Sequence, residues 1–160
     1  MASPRLRDVR RVLLTGMSGT GKSSVVRELV ARGYKAVDTD DGWCERQPDG
    51  RQQWCERSIE ELLSTEDADV LFVAGCEENQ VKFYGQFDSI ILLSAPLNVM
   101  VERLASRTNN SYGKQPEELC RIYDDATTVE PLLRSGATHE VRTTIALPAV
   151  VAEVLRVVDA

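Results

Sequence analysis

The chain has 160 residues, 42% hydrophobic and 28% charged, with 19 Lys and Arg against 25 Asp and Glu, giving a net charge of −6. Such a composition predicts one soluble domain around one sizeable core, and it excludes the overall basic field that attracts nucleic acid. No apolar run approaches the roughly 20 residues of a membrane span, so neither a nucleic acid nor a membrane is expected as a partner.

The opening MASPRLRDVRR is basic and has no apolar stretch after it, so it reads as a solvated leader and not as a secretory signal. Residues 11–15, RVLLT, form an apolar run of strand formers. Residues 22–31, KSSVVRELVA, place Val25, Val26, Leu29 and Val30 on one helical face. Between them lies GMSGTGKS, which fits the phosphate-cradling pattern G-x-x-x-x-G-K-[ST] in the strand–loop–helix context it requires. Gly16, Gly19 and Gly21 permit the turn. Backbone N–H groups around Ser18, Thr20 and Ser24 face anionic oxygens. Lys22 is expected to reach the β- and γ-phosphates of ATP, and the Ser23 hydroxyl to ligate Mg²⁺.

Residues 34–37 read as a second strand, ending in VDTDD. Asp38 and Asp40 alternate along extended chain and face different ways. Beside a bound triphosphate, one carboxylate can hold Mg²⁺ and the other can accept a proton from a hydroxyl. The expectation places Asp38 on the metal and Asp40 on the acceptor, with the base left open between them. Residues 52–63 have helical spacing in Ile59, Leu62 and Leu63. WCER occurs at 43–46 and again at 54–57, which is too little for a repeat architecture.

Residues 70–74, VLFVA, form a buried-type strand that ends in Ala74-Gly75-Cys76. No acid closes it, as a motor ATPase would require, and NQVK at 79–82 is not the guanine-reading N-K-x-D of a switch. A fourth strand covers 90–93, and a helix over 97–104 follows Pro96, a residue suited to a first helical position. Arg103 and Arg107 share a helix face and can stack on a base or clamp phosphates. Polar residues 108–114 read as a lid, carried on to about 116, with Lys114 and Arg107 closing over the phosphates. A helix over 117–127, a break at Pro131, a last strand over 139–143 and a helix over 149–158 complete the chain. His139, the only histidine, lies away from the phosphate loop. Cys44, Cys55, Cys76 and Cys120 are far apart and read as reduced thiols of a cytoplasmic protein. Alternation of strands and helices predicts a parallel sheet covered on both faces, with ligands at the carboxyl ends of the strands.

Over nearly its whole length the chain resembles the small P-loop kinases, the group of shikimate, gluconate and adenylate-type kinases. GMSGTGKS matches their first loop, and VDTD resembles the D-x-D of shikimate kinases. ERLASR resembles the adenylate-kinase segment, which implies that Arg103 packs on adenine and Arg107 contacts phosphates. VEPLLRSGATHEVRTT resembles the shikimate-kinase ending and implies that the loop near Pro148 edges the adenine. AGC-x-x-NQ-x-x-FY with a later N-x-YGK resembles a bacterial shikimate-kinase-like subgroup. The resemblance implies one α/β P-loop domain over 1–160, three layers with a five-stranded parallel sheet, a lid and an acceptor-binding segment over about 41–64.

Two departures weaken shikimate itself as acceptor. Ala74-Gly75-Cys76 replaces a glycine triplet, and Thr128, Val129 and Glu130 stand where shikimate kinases carry a carboxylate-holding arginine. Trp43, Trp54, Arg57, Gly75, Cys76, Asn79, Gln80 and Tyr84, with Asp40, are expected to line a pocket for a small polyhydroxylated or heterocyclic acceptor. The function expected is an ATP- and Mg²⁺-dependent kinase acting on a hydroxyl of a small metabolite. The alternatives are a nucleoside monophosphate kinase and a non-catalytic ATP-binding module. Oligomeric state is left open.

Overall fold

A computed structural model describes residues 8–108 and 111–159. Its elements are β1 Arg10–Thr15, α1 Lys22–Ala31, β2 Lys35–Asp38, β3 Cys44–Arg46, β4 Gln52–Trp54, α2 Glu56–Leu63, β5 Val70–Ala74, a 3₁₀ segment Glu78–Gln86, β6 Ser89–Ser94, α3 Leu97–Ser106, α4 Pro116–Thr128, α5 Glu130–Gly136, β7 His139–Arg142 and α6 Leu147–Asp159. Five strands form one sheet in the order β2-β5-β1-β6-β7, and every neighbouring pair is parallel.

The apolar strands are buried on both faces, as parallel strands covered by helices must be. Alternation splits each strand between two cores. Val12 and Leu14 of β1, Phe72 and Ala74 of β5, and Ile91 and Leu93 of β6 pack against Val25, Val26 and Leu29 of α1 and the valines of α6. On the other face Leu13, Leu71, Val73 and Ile90 meet Ile59, Leu62 and Leu63 of α2 and Phe83. The sheet splits at β1, with β5 on one side and β6 on the other. The crevice at the carboxyl ends therefore opens beside the loop after β1.

Two expectations need correction. The leader is shorter than its basic run, because Val9 is buried and Arg10 and Arg11 belong to β1; residues 1–7 lie outside the described part. Residues 52–63 are not one helix. Gln52–Trp54 pairs antiparallel with Cys44–Arg46, and only Glu56–Leu63 is helical. The second WCER therefore crosses from strand to helix, while most of the first lies on a strand. Residues 78–86 form a 3₁₀ segment that the sequence pattern does not announce, opened by a capping box between Glu77 and Gln80. The helix after Pro96 is as expected, with the proline one place earlier, at the N-cap.

Candidate active site

The loop after β1 is shaped by sterics that only glycine meets. At Gly16, φ is +154°, and an added Cβ would stand 2.4 Å from the Leu93 carbonyl oxygen. Lys22 arches back inside the curve, its ammonium donating to the carbonyls of Gly16 (2.5 Å) and Met17 (3.0 Å). Ser18, Gly19, Gly21, Lys22, Ser23 and Ser24 line a cleft of about 1560 Å³. Thr20 does not. Its side chain is fully buried and its hydroxyl donates to the Met17 carbonyl at 2.8 Å, so it braces the loop from within.

Arg103 braces the loop from outside. Its guanidinium donates to the Gly19 carbonyl at 3.2 Å and to the Thr143 hydroxyl and carbonyl at 2.9 and 2.6 Å. This ties α3 to the residue that follows β7. Arg103, Thr143, Ile145, Leu147 and Val150 line this end of the cleft. Pro148 is exposed and outside the lining, so its expected place is taken by Ile145 and Leu147 on either side of the turn into α6.

The acidic turn after β2 approaches from the other side. The Ser23 hydroxyl donates to Asp38 Oδ2 at 2.7 Å, and Asp38 Oδ1 accepts from the Asp40 N–H at 3.1 Å. A hydroxyl and a carboxylate in contact are the hard oxygen donors that Mg²⁺ takes, so these residues fit that ion. Asp40 lines the cleft wall. Partial burial and the nearby Asp38 carboxylate push its carboxyl up, while Lys22 and Arg107 pull the other way.

Asp40, Cys44 and Glu77 bring their ligand atoms within 4.8 Å of one another. Burial, followed by Glu77 and Asp40, pushes the Cys44 thiol up to about 12. It therefore stays protonated and directs its hydrogen at the Thr39 carbonyl, 3.2 Å away. A protonated thiol does not suit Mg²⁺. No acid closes β5, as expected, but Glu77, which the pattern did not single out, lines the cleft three residues beyond Ala74. Its carboxyl is raised by burial and lowered by the hydrogen bond from Gln52.

Several expected acceptor-site residues are elsewhere. Trp54 is fully buried in the core under α2, and its indole N–H donates to the Thr39 hydroxyl at 2.9 Å. Gly75 serves that packing, since an added Cβ would sit 2.4 Å from Thr39 Oγ1 and 2.9 Å from Trp54 Nε1. Arg57 is on the outer face of α2, paired with Glu61. Asn79 and Gln80 are buried and bonded within the protein. Tyr84 packs with the α2-side core, and its hydroxyl oxygen accepts from Gln80 Nε2. Trp43 lines a shallower groove with Ser23, Arg27, Asp38, Asp40 and Asp41. Only Cys76 of the residues beyond β5 named in advance lines the main cleft. Burial pushes its thiol up.

The cleft wall has members that the pattern did not single out: Arg46, Asp49, Arg51 and Gln52 from the β3–β4 hairpin, and Tyr112, Arg121 and Asp125 opposite. The last two are one turn apart on α4, a spacing that pairs them on one face. Arg107 also lines the cleft, and its Nη2 donates to the Tyr112 carbonyl at 3.0 Å. Lys114 turns away from the phosphate loop, its ammonium donating to the Arg107 carbonyl at 2.5 Å. Gly113 is buried against Leu104. Of the segment expected to be a lid, residues 109–110 lie outside the described part.

A phosphate-type loop between a central strand and helix, set in a parallel sheet of this order, defines the P-loop kinase fold. The chain belongs to the AAA domain family, whose model matches residues 12–124. No curated protein matches the sequence. Among solved structures it is similar to a shikimate kinase from Acinetobacter baumannii in complex with shikimate, with TM-score 0.69 and 17% identity over 96% of this chain and 94% of the other. A gluconokinase from Sinorhizobium meliloti 1021 gives TM-score 0.66 and 23% identity over 94% and 91%. A shikimate kinase from Bacteroides thetaiotaomicron gives 0.67 and 16% over 94% and 99%. The fold is that of the shikimate kinase-like group. No helix among the described residues is long and apolar enough to cross a membrane.

Proposed function

We propose that the protein is an ATP-dependent kinase that transfers the γ-phosphate to a hydroxyl of a small, strongly polar metabolite. The observation that carries this reading is one cleft lined both by the phosphate loop, Ser23 and Asp40 and by charged or hydrogen-bonding side chains of the hairpin and α4. Lys22 and the loop N–H groups hold the β- and γ-phosphates. Ser23 and Asp38 would hold Mg²⁺, which neutralises charge on the phosphates. Asp40 is the better placed of the two acids to take the hydroxyl proton, because Asp38 is engaged with Ser23. A carboxyl raised by its surroundings is a stronger base than an ordinary one. Arg107, across the cleft, stabilises charge on the transferring group. Arg103, Ile145 and Leu147 form the surface for the base.

The acceptor end supports a polar metabolite over a nucleoside monophosphate. With Trp54 in the core, this end of the cleft is lined by Arg46, Asp49, Arg51, Gln52, Arg121 and Asp125, side chains that suit the hydroxyls of a polyol. The residues at 128–130 offer no guanidinium for the shikimate carboxylate, and Glu130 there is paired with Arg134. The kinases among the structural neighbours, which include a gluconokinase and a sugar kinase, agree with an alcohol acceptor. The test is ADP release from MgATP alone and with sugars, polyols, sugar acids, shikimate and nucleoside monophosphates. Stimulation by a polyol or sugar derivative supports the proposal. Stimulation confined to monophosphates replaces it with a nucleotide kinase, and efficient use of shikimate overturns the acceptor assignment.

A further inference from the structure

Asn79 and Gln80 were expected to grip an acceptor, yet they are 6% and 2% exposed and face the protein. Asn79 meets the backbone of Trp54 as a neighbouring strand would. Its Oδ1 accepts from the Trp54 N–H and its Nδ2 donates to the Trp54 carbonyl, both at 3.0 Å. The same Nδ2 reaches Glu56 Oε2 at 3.0 Å. Glu77 holds the hairpin as well, while the Glu78 pair is exposed to solvent. Glu77 Oε1 accepts from Gln52 Nε2 at 2.9 Å, and Glu78 pairs with Arg51 at 3.3 Å. Gln80 points the other way, donating from Nε2 to the hydroxyl of Thr15, the last residue before the phosphate loop, at 3.0 Å. Its Oε1 accepts from the Glu77 N–H, closing the turn on itself.

We propose that Asn79 and Gln80 are positioning residues that set the separation between the phosphate loop and the acceptor wall on the β3–β4 hairpin. The proposal rests on the kinase reading above. Neither residue touches phosphate or acceptor. One amide holds the wall that carries Arg46, Asp49, Arg51 and Gln52, and its neighbour holds the strand end from which the phosphate loop springs. Both amides are neutral, so they fix geometry without adding a charge beside the phosphates. Such a fixed span matters because a misplacement of about 1 Å costs an in-line reaction on the order of 100-fold. Closure over the substrates then falls to the opposite wall, with Arg107, Tyr112 and Arg121.

The test compares Asn79→Ala, Asn79→Ser and Glu78→Gln with the unmodified protein. In Asn79→Ala, backbone amides of residues 44–54 should exchange hydrogen about tenfold faster, with β1 and β5 unchanged. MgATP affinity should stay within about twofold, while KM for a polyol or sugar-acid acceptor from the panel rises about five- to tenfold and kcat falls. Asn79→Ser, which keeps one hydrogen-bonding group, should fall between. Glu78→Gln, in an exposed pair, should change little. Unchanged hairpin exchange overturns the proposal. So does a loss of MgATP affinity parallel to the acceptor effect with faster exchange throughout the sheet, which marks a merely structural role. If no compound accepts phosphate, the kinase reading falls on its own. Faster hairpin exchange then still reports the physical link, so the two failures are distinguishable.

Discussion

Around the phosphates, the cleft is walled by one short loop, through Ser18, Gly19 and Gly21, and by the start of α1, with Arg103 reaching in from α3. At the acceptor end, the wall draws on the β3–β4 hairpin and the turn after β5, which meet through side-chain hydrogen bonds between distant segments, and on α4. The first end is a local motif whose geometry is dictated by its own glycines and lysine. The second is a junction whose shape depends on the whole fold. Substitutions at the phosphate end should therefore remove chemistry with little loss of fold, and those at the acceptor end should trade stability against position.

The sharpest break in that contrast comes from Lys22→Ala. It deletes a charge contact to the transferring phosphate and should lower kcat/KM by about 100- to 1000-fold, with Tm essentially unchanged; steady-state kinetics beside thermal unfolding checks both. Trp54→Ala should do the reverse. Removing a fully buried indole should cost about 3–5 kcal/mol of stability, read by urea unfolding. Arg103→Ala should raise the ATP KM about tenfold with a smaller effect on kcat, because its contacts are alike in ground and transition states. Arg107→Ala should instead lower kcat more than it alters the ATP KM. The opposite pattern would exchange their roles.

Asp40 offers a test in pH. Its carboxyl is raised in the folded protein, so protonation favours folding. That stabilisation is full below the ordinary value of 3.8 and is lost as pH rises through the raised one. Asp40→Asn should therefore have the higher Tm near neutral pH, and the difference should disappear under acid conditions. The same change should lower turnover about 100-fold or more through loss of the base. The smallest effect is expected at Arg57→Ala. This residue faces solvent on α2, so acceptor KM should change by less than about twofold.

The same contrast explains how far the sequence could be read. The five strands of the main sheet, α1 and the phosphate loop rest on local periodicity and spacing, and they occur in the structure close to their expected bounds. Asp38 and Ser23 are drawn together by the loop–helix unit and the neighbouring strand, so their meeting was legible. The acceptor side was not. Trp54 looks the same in sequence whether it faces a ligand or a core, and only the long-range bond to Thr39 on one side and α2 on the other decides it. Gln52–Trp54 carries residues compatible with the helical pattern that follows, and its pairing with Cys44–Arg46 is a tertiary choice. Arg121 and Asp125 gave a helical pair that was readable, but nothing local says that this face of α4 meets the cleft. Glu77 and the 3₁₀ segment were missed for the same reason.

The most direct test of phosphate transfer follows the label of γ-labelled ATP in the presence of Mg²⁺ and a deproteinised small-molecule cell extract, with Lys22→Ala as control. Transfer to a metabolite hydroxyl predicts that label enters an organic phosphoester, that this product is absent with Lys22→Ala, and that little inorganic phosphate forms without extract. Label released only as inorganic phosphate, at the same rate with and without extract, would contradict it.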